Sequence, residues 1–203
     1  MRRSIEFFYF IGSTYSYLSV MRAEALAARH GIELTWRPFS VRTLMREQNN
    51  VPFAGKPVKM SYMWRDLERR AAKFGVPFVG IPPYPIDPFE SANHVATLAA
   101  REGWCKEFTQ AAYRTWFMDK QDPGTPQALR GIVTALGRDA DDTMARASAA
   151  QTQDEYRAAT ERARQLGLFG SPTFVAGQEI FWGDDRLEDA LAWCAAQPAR
   201  EGP

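Results

Sequence analysis

Ile5-Glu6-Phe7-Phe8-Tyr9-Phe10-Ile11-Gly12-Ser13-Thr14-Tyr15-Ser16-Tyr17-Leu18 is the stretch on which the reading of the whole chain turns. Residues Ile5 to Ile11 are bulky and β-prone, broken only by Glu6, which predicts a strand buried on both faces. Gly12-Ser13-Thr14 is a turn. Beyond it Leu18, Met21, Ala25 and Ala28 recur at three- and four-residue spacing, so a helix with one apolar face is expected, stopped at Gly31. Glu33 to Pro38 reads as a second strand. Strand, helix and strand joined by short links form a right-handed βαβ unit with parallel strands.

Further along, Met60, Met63, Leu67, Ala71 and Phe74 fall at helical spacing, and Gly75-Val76-Pro77 ends that helix. A proline-rich stretch from Ile81 to Pro88 makes an irregular connection. Helices are expected across residues 91–102, 106–118, 126–136, 139–150 and 154–166, with almost no strand signal between them. β character returns at Ser171-Pro172-Thr173-Phe174-Val175-Ala176, turns at Gly177-Gln178 and pairs back through Glu179 to Trp182. Gly183-Asp184-Asp185 then leads into a last helix through Leu187, Leu191 and Trp193, and the tail 197–203 is expected to fray. An α/β chain ordered βαβ, helical block, ββα has the thioredoxin-like arrangement with a large all-helical insertion. Residues 1–58 and 168–200 would form the discontinuous thioredoxin-like domain, and 59–167 the insertion.

Length and composition agree with this division. The chain has 203 residues, 45% apolar, with a formal net charge of +1. That size supports a substantial core, and so small a charge gives no general reason to expect nucleic acid or an anionic membrane as partner. Met1-Arg2-Arg3-Ser4 before an apolar run invites a signal-peptide reading, but Glu6 interrupts the run and no small-residue cleavage site follows. Cys105 and Cys194 are far apart and form no CxxC pair, so reduced, structural thiols and a cytoplasmic setting are expected. His30 falls at a helix end, where a structural role is expected, and His94 at a helix start, where a solvent-facing or capping role is expected and a pocket-facing one is the alternative. So few histidines and cysteines give little support to zinc catalysis or a Ser-His-Asp hydrolase, and no metal is expected.

Four places carry candidate chemistry. The Ser13 hydroxyl stands at a strand-to-helix turn, where a helix N-terminus favours an anion such as a thiolate. Locally it reads equally as an N-cap satisfying the Ser16 amide. Ser171-Pro172 is either an ordinary strand-start proline or a cis bond that turns the Ser171 backbone towards a peptide ligand. Asp184 and Asp185 either complement a helix dipole, or one of them holds a ligand ammonium while nearby amides hold its carboxylate. Asn50, Lys56 and Lys59 lie in a loop leading to a helix. The lysines are solvated surface charges or point charges for a ligand carboxylate.

Taken together, these segments resemble the kappa-class glutathione transferase and 2-hydroxychromene-2-carboxylate isomerase family, relatives of the DsbA-type oxidoreductases. The motifs carrying the resemblance are Ser13-Thr14-Tyr15-Ser16-Tyr17-Leu18, then Asn50 and Lys59 before Tyr62-Met63-Trp64-Arg65-Asp66-Leu67, then Ser171 to Val175, and Trp182-Gly183-Asp184-Asp185-Arg186-Leu187. The resemblance implies glutathione as cofactor, with Ser13 bonded to its sulfur and Ser171, beside Pro172, paired with the cysteinyl backbone. Asp185 would bind the γ-glutamyl ammonium with the Asp184 amide near the α-carboxylate, while Lys59 and Asn50 hold the glycyl end. In the isomerase the thiolate adds reversibly to a conjugated aromatic acid, permits rotation about a former double bond, and leaves.

The resemblance further implies a homodimer taking a small aromatic or electrophilic substrate. Phe8, Tyr9, Trp64, Tyr84, Phe89 and Trp116 would line its pocket or else serve the core. Three positions depart from the family pattern. Thr14 replaces a proline, Phe10 stands where an Asp is common, and Asp184 adds a second negative charge that would either repel the glutamyl carboxylate or strengthen ammonium binding. A transferase or peroxidase acting on another electrophile shares these residues, and a non-catalytic thioredoxin-like binding module is the alternative outside enzymes. Disulfide exchange is disfavoured, because Ser13 and Ser16 occupy both positions of the expected CxxC.

Overall fold

Four strands form a mixed sheet in the order β2-β1-β3-β4 in the computed structural model, which describes residues 3–50, 53 and 55–197. β1 (Arg3–Tyr9) leads through α1 (Ser16–Arg29) to β2 (Ile32–Pro38), and the two strands run parallel from Arg3 opposite Ile32 to Tyr9 opposite Pro38. β3 (Thr173–Ala176) lies antiparallel on the other side of β1, with Phe7 opposite Phe174, and β4 (Glu179–Trp182) closes the sheet as an edge. A short 3₁₀ turn, Asp184–Arg186, precedes α9 (Leu187–Ala196). Between β2 and β3 come α2 (Val41–Glu47), α3 (Pro57–Phe74), α4 (Ser91–Glu102), α5 (Cys105–Phe117), α6 (Pro126–Ala135), α7 (Ala140–Ser148) and α8 (Ala150–Gln165). This is the expected thioredoxin-like βαβ…ββα order with helices inserted. The boundary drawn at 58/59 falls in the first turn of α3, and the frayed tail expected beyond Gln197 lies outside the described residues.

β1 explains why the sheet is covered on both sides. Ile5, Phe7 and Tyr9 point into the larger core, where Phe7 stacks on Phe174 at 4.9 Å. Phe8 and Phe10 point the other way, into a second cluster with Phe39, Val41, Leu44, Ala163 and Leu168. Each fully buried aromatic contributes about 1.5–3 kcal/mol, so a polar residue at any of these positions would weaken both layers. Two expectations need correction. The strand expected to reach Ile11 leaves the ladder after Tyr9, because β2 ends at Pro38 and the Phe39 N–H is the last to bond back, to the Tyr9 carbonyl at 3.2 Å. Helix α2 was not anticipated: Ser40 caps it by accepting from the Thr43 N–H at 3.2 Å, and seven residues give too short a period to read.

Among the described residues no helix is long and apolar enough to cross a membrane. Nor do His, Cys, Asp and Glu side chains among them gather into a metal site.

Candidate functional site

The turn after β1 is held by its neighbours rather than by the helix it precedes. Gly12 adopts a φ of 134°, and a Cβ there would come within 2.5 Å of the Phe10 ring, so glycine is required twice over. The Ser13 N–H donates to the Phe10 carbonyl at 2.9 Å. The N-cap reading of Ser13 fails, since Tyr15 occupies the cap position of α1, two residues later, with no side-chain cap bond. Instead Ser13 Oγ donates to the Ser171 carbonyl at 2.8 Å, and Ser16 Oγ and Ser171 Oγ share a hydrogen bond at 2.9 Å. The Ser171-Pro172 bond is cis. The two serine positions of the would-be CxxC therefore meet the residue before the cis proline. Thr14, in place of proline, is buried and donates to Met63 Sδ at 3.1 Å, tying the turn to α3.

Two buried side chains that sequence reasoning missed complete this turn. Asn93 on α4 accepts from the Ile11 N–H at 2.8 Å and donates to the Ile11 carbonyl at 3.0 Å, replacing the ladder partners that Ile11 has lost. The Tyr113 hydroxyl on α5 is shared between the carbonyls of Phe10 at 2.8 Å and Ser13 at 3.0 Å, and burial raises its pKa so that it stays a neutral donor. A buried asparagine in an apolar helix face was the one available signal for the first. Tyr113 carried none.

At the other end the Gly183 N–H donates to the Pro172 carbonyl at 2.9 Å, joining the acidic turn to the cis-proline segment. Asp184 and Asp185 separate sharply. Asp184 is only 2% exposed, and its Oδ2 accepts from Arg70 Nη2 at 2.8 Å and Nε at 3.2 Å. Burial pushes its carboxyl up to about 6, and the Arg70 attraction offsets only part of that rise, so a close ion pair and a raised pKa coexist. Its carboxylate is thus spent within the fold, which corrects the expectation of a second free negative charge facing a ligand. Asp185 is exposed, with Arg186 Nη2 at 3.5 Å from its Oδ2. Nearby, the Tyr15 hydroxyl donates to Asp66 Oδ2 at 3.0 Å.

Asn50 and Lys59 are both exposed, as is Lys56, and no hydrogen bond or ion pair joins Asn50 or Lys59 to Ser13. Residues 51, 52 and 54 of the intervening loop lie outside the described residues. The Lys59 ammonium sits 5.6 Å from the centre of the Phe53 ring, which meets Tyr84 edge-on at 6.4 Å, and Tyr84 meets Trp64 at 5.6 Å. Of the aromatics expected to line a pocket, Phe8, Tyr9 and Trp116 are fully buried in the cores. Trp64 is likewise buried in the larger core and meets Tyr84 edge-on, Phe89 is 80% exposed, and Tyr84 meets Phe53. Cys105 and Cys194 are free and buried, and burial pushes the Cys105 thiol up to about 12. His94 is half-buried and edge-on to Tyr156 at 5.0 Å, in a surface pocket that it lines with Glu90 and Arg164, and burial lowers its pKa.

The chemistry available is that of a hydroxyl donor, an exposed carboxylate and a cis-proline backbone brought to one turn region. The DSBA-like thioredoxin domain pattern matches residues 4–192. The 2-hydroxychromene-2-carboxylate isomerase of Sphingobium xenophagum is 33% identical over 191 residues, covering 93% of this chain and 96% of that protein. The enzyme of the same name from Pseudomonas putida is 23% identical over 186 residues, 90% of each. Among solved structures, that of a 2-hydroxychromene-2-carboxylate isomerase superposes with a TM-score of 0.82 at 23% identity, covering 94% of this chain and 95% of that one. The cytosolic disulfide reductase DsbM from Pseudomonas aeruginosa, solved with GSH, superposes with a TM-score of 0.64 at 14% identity, covering 95% and 96%.

Proposed function

Because the chain belongs to the DSBA-like thioredoxin domain family, in the company of the 2-hydroxychromene-2-carboxylate isomerases, we propose that it is a glutathione-dependent isomerase of a small aromatic, conjugated acid. The observation that carries this reading is the 2.8 Å bond from Ser13 Oγ to the Ser171 carbonyl. It puts the donor that a thiolate needs against the backbone group that a cysteinyl peptide needs. The residues fit glutathione at its cysteinyl and glutamyl ends, through Ser13 and Ser171 at one and the exposed Asp185 at the other. When bound, glutathione would supply the sulfur nucleophile that the buried Cys105 and Cys194 do not present.

The roles of the side chains follow from that fit. Ser13 O–H turns from the Ser171 carbonyl to the ligand sulfur and favours the thiolate, whose free pKa is about 8.5. The Ser171 backbone, beside Pro172, pairs with the cysteinyl backbone. Asp185 holds the glutamyl ammonium, with the Asp184 amide near the glutamyl carboxylate. Lys59 and Asn50 hold the glycyl carboxylate. A flat aromatic substrate would meet the half-buried Phe53 and Tyr84, whose rings stand edge-on, with the buried Trp64 behind Tyr84. We read the protein as a homodimer, which light scattering of the purified chain tests directly, and as cytoplasmic, which fractionation of cells expressing it tests.

Calorimetric titration with glutathione is the first test, and no binding at millimolar ligand would refute the proposal. Ser13→Ala should keep glutathione bound yet lose most of its thiolate absorbance. An unchanged thiolate signal would remove Ser13 from the chemistry. Turnover of 2-hydroxychromene-2-carboxylate is the expected activity. Turnover of an arylating electrophile or a hydroperoxide alone would assign a transferase or peroxidase, and binding without any turnover a binding module.

A further inference from the structure

The 3₁₀ turn Asp184–Arg186 is gripped from two helices by charges that the proposed reaction does not use. From α3, Arg70 donates through Nη2 and Nε to the same oxygen, Oδ2, of Asp184. From α1, Arg22 donates through Nη2 to the Asp184 carbonyl at 3.2 Å and through Nη1 to Glu188 Oε1 on α9 at 2.5 Å. Both guanidinium groups lie over the ring of Phe74, at 3.6 Å for Arg22 and 5.7 Å for Arg70, as does the Lys73 ammonium at 5.4 Å, so this ring is a shared contact of the cations around the turn. Side chain and backbone of Asp184 are therefore each anchored to a different helix.

This arrangement decides what the turn offers to a ligand. A buried carboxylate that loses its counter-charge either keeps an uncompensated charge at high cost or takes up a proton. A carboxyl that takes up the proton can stay inward as a neutral group, but one that keeps its charge gives the turn no reason to hold Asp184 inward and Asp185 outward. An outward Asp184 would place a second negative charge beside the first, where it would compete with Asp185 for a ligand's ammonium and repel its carboxylate. We propose that Arg70 and Arg22 are positioning residues for recognition of the γ-glutamyl end of glutathione. They counter and anchor Asp184, so that Asp185 is the acidic side chain the turn presents. This rests on the glutathione reading above, and it answers how a second acid is accommodated in that motif.

A role confined to stability would weaken every ligand alike, so the test compares two. Cysteinylglycine keeps the thiol, the cysteinyl backbone and the glycyl carboxylate of glutathione but lacks the glutamyl residue. By calorimetry, Arg70→Met should weaken glutathione by about tenfold, the scale of coupling inside one charged network, while cysteinylglycine changes by less than about twofold. Adding Asp184→Asn to Arg70→Met should recover most of the glutathione affinity, because a neutral amide needs no counter-ion. Arg70→Lys, which keeps the charge but loses the two-pronged grip, should fall between and serves if the methionine variant does not fold. Equal weakening of both ligands, unchanged glutathione affinity in Arg70→Met, or no recovery in the double variant would overturn the proposal. If the unmutated protein binds neither ligand at millimolar concentration, the glutathione reading fails and takes this proposal with it. If it binds glutathione and Arg70→Met binds it equally well, only the positioning role falls.

Discussion

Asp184→Asn replaces a carboxylate that burial holds near pKa 6 by a neutral group of the same shape, and the consequence can be worked from the structure. The groups facing Asp184 are Arg70 from α3, Arg22 from α1, the neighbouring Asp185 and, through Asp66, Tyr15. Because the folded-state value lies above the unfolded one, the native state binds the Asp184 proton more tightly than the unfolded chain does. Its contribution is therefore fully present below the ordinary carboxylate value of 3.8 and is lost as pH rises through about 6. Between about pH 7.5 and about pH 4.5 this linkage stabilises the protein, relative to a variant without the group, by about 2 kcal/mol. For a chain of this length that corresponds to roughly 4–8 °C in Tm. Every other titrating group is shared by the two proteins and cancels in the difference. Thermal melts of both proteins across that range should thus show the wild type gaining on Asp184→Asn as pH falls. A difference that stays flat, or that runs the other way, would mean that the Arg70 attraction matches or outweighs the cost of burial, and the argument that burial raises the Asp184 carboxyl would fail.

Two further outcomes test the frame that holds the site. Asn93→Ala strands the N–H and carbonyl of Ile11 in a buried place and should cost about 3 kcal/mol, or roughly 6–12 °C in Tm; a fall below about 2 °C would show that water or a shifted backbone takes over. Neither Cys105 nor Cys194 should react with an aromatic disulfide reagent in the native protein, whereas both should react in denaturant; rapid native labelling would contradict their burial.

Local chemistry carried much of this structure. β1 could be read because every residue from Ile5 to Ile11 except Glu6 is bulky and β-prone, which only a strand between two cores uses fully, and both layers are present on it. The α3 stop at Gly75 and the hairpin of β3 and β4 were legible because left-handed glycines and short β-prone runs act within a few residues. α2 escaped notice because seven residues hold too little periodicity, and the end of β1 was misplaced because it depends on where β2 stops.

Sequence by itself thus determined the order of elements, the serine at the first turn and the acidic pair before α9, since each is a property of neighbours along the chain. Only tertiary structure decided what those residues face. Ser13 reads as a helix cap until Ser171, 158 residues away, takes its proton donor. Asp184 and Asp185 are equivalent in sequence, yet one is buried against Arg70, 114 residues earlier, and the other is left in solvent. With 25 lysines and arginines in the chain, no local rule selects that partner. The choice follows from the packing of α3 and α1 against the turn, and burial converts that packing into a pKa and a direction.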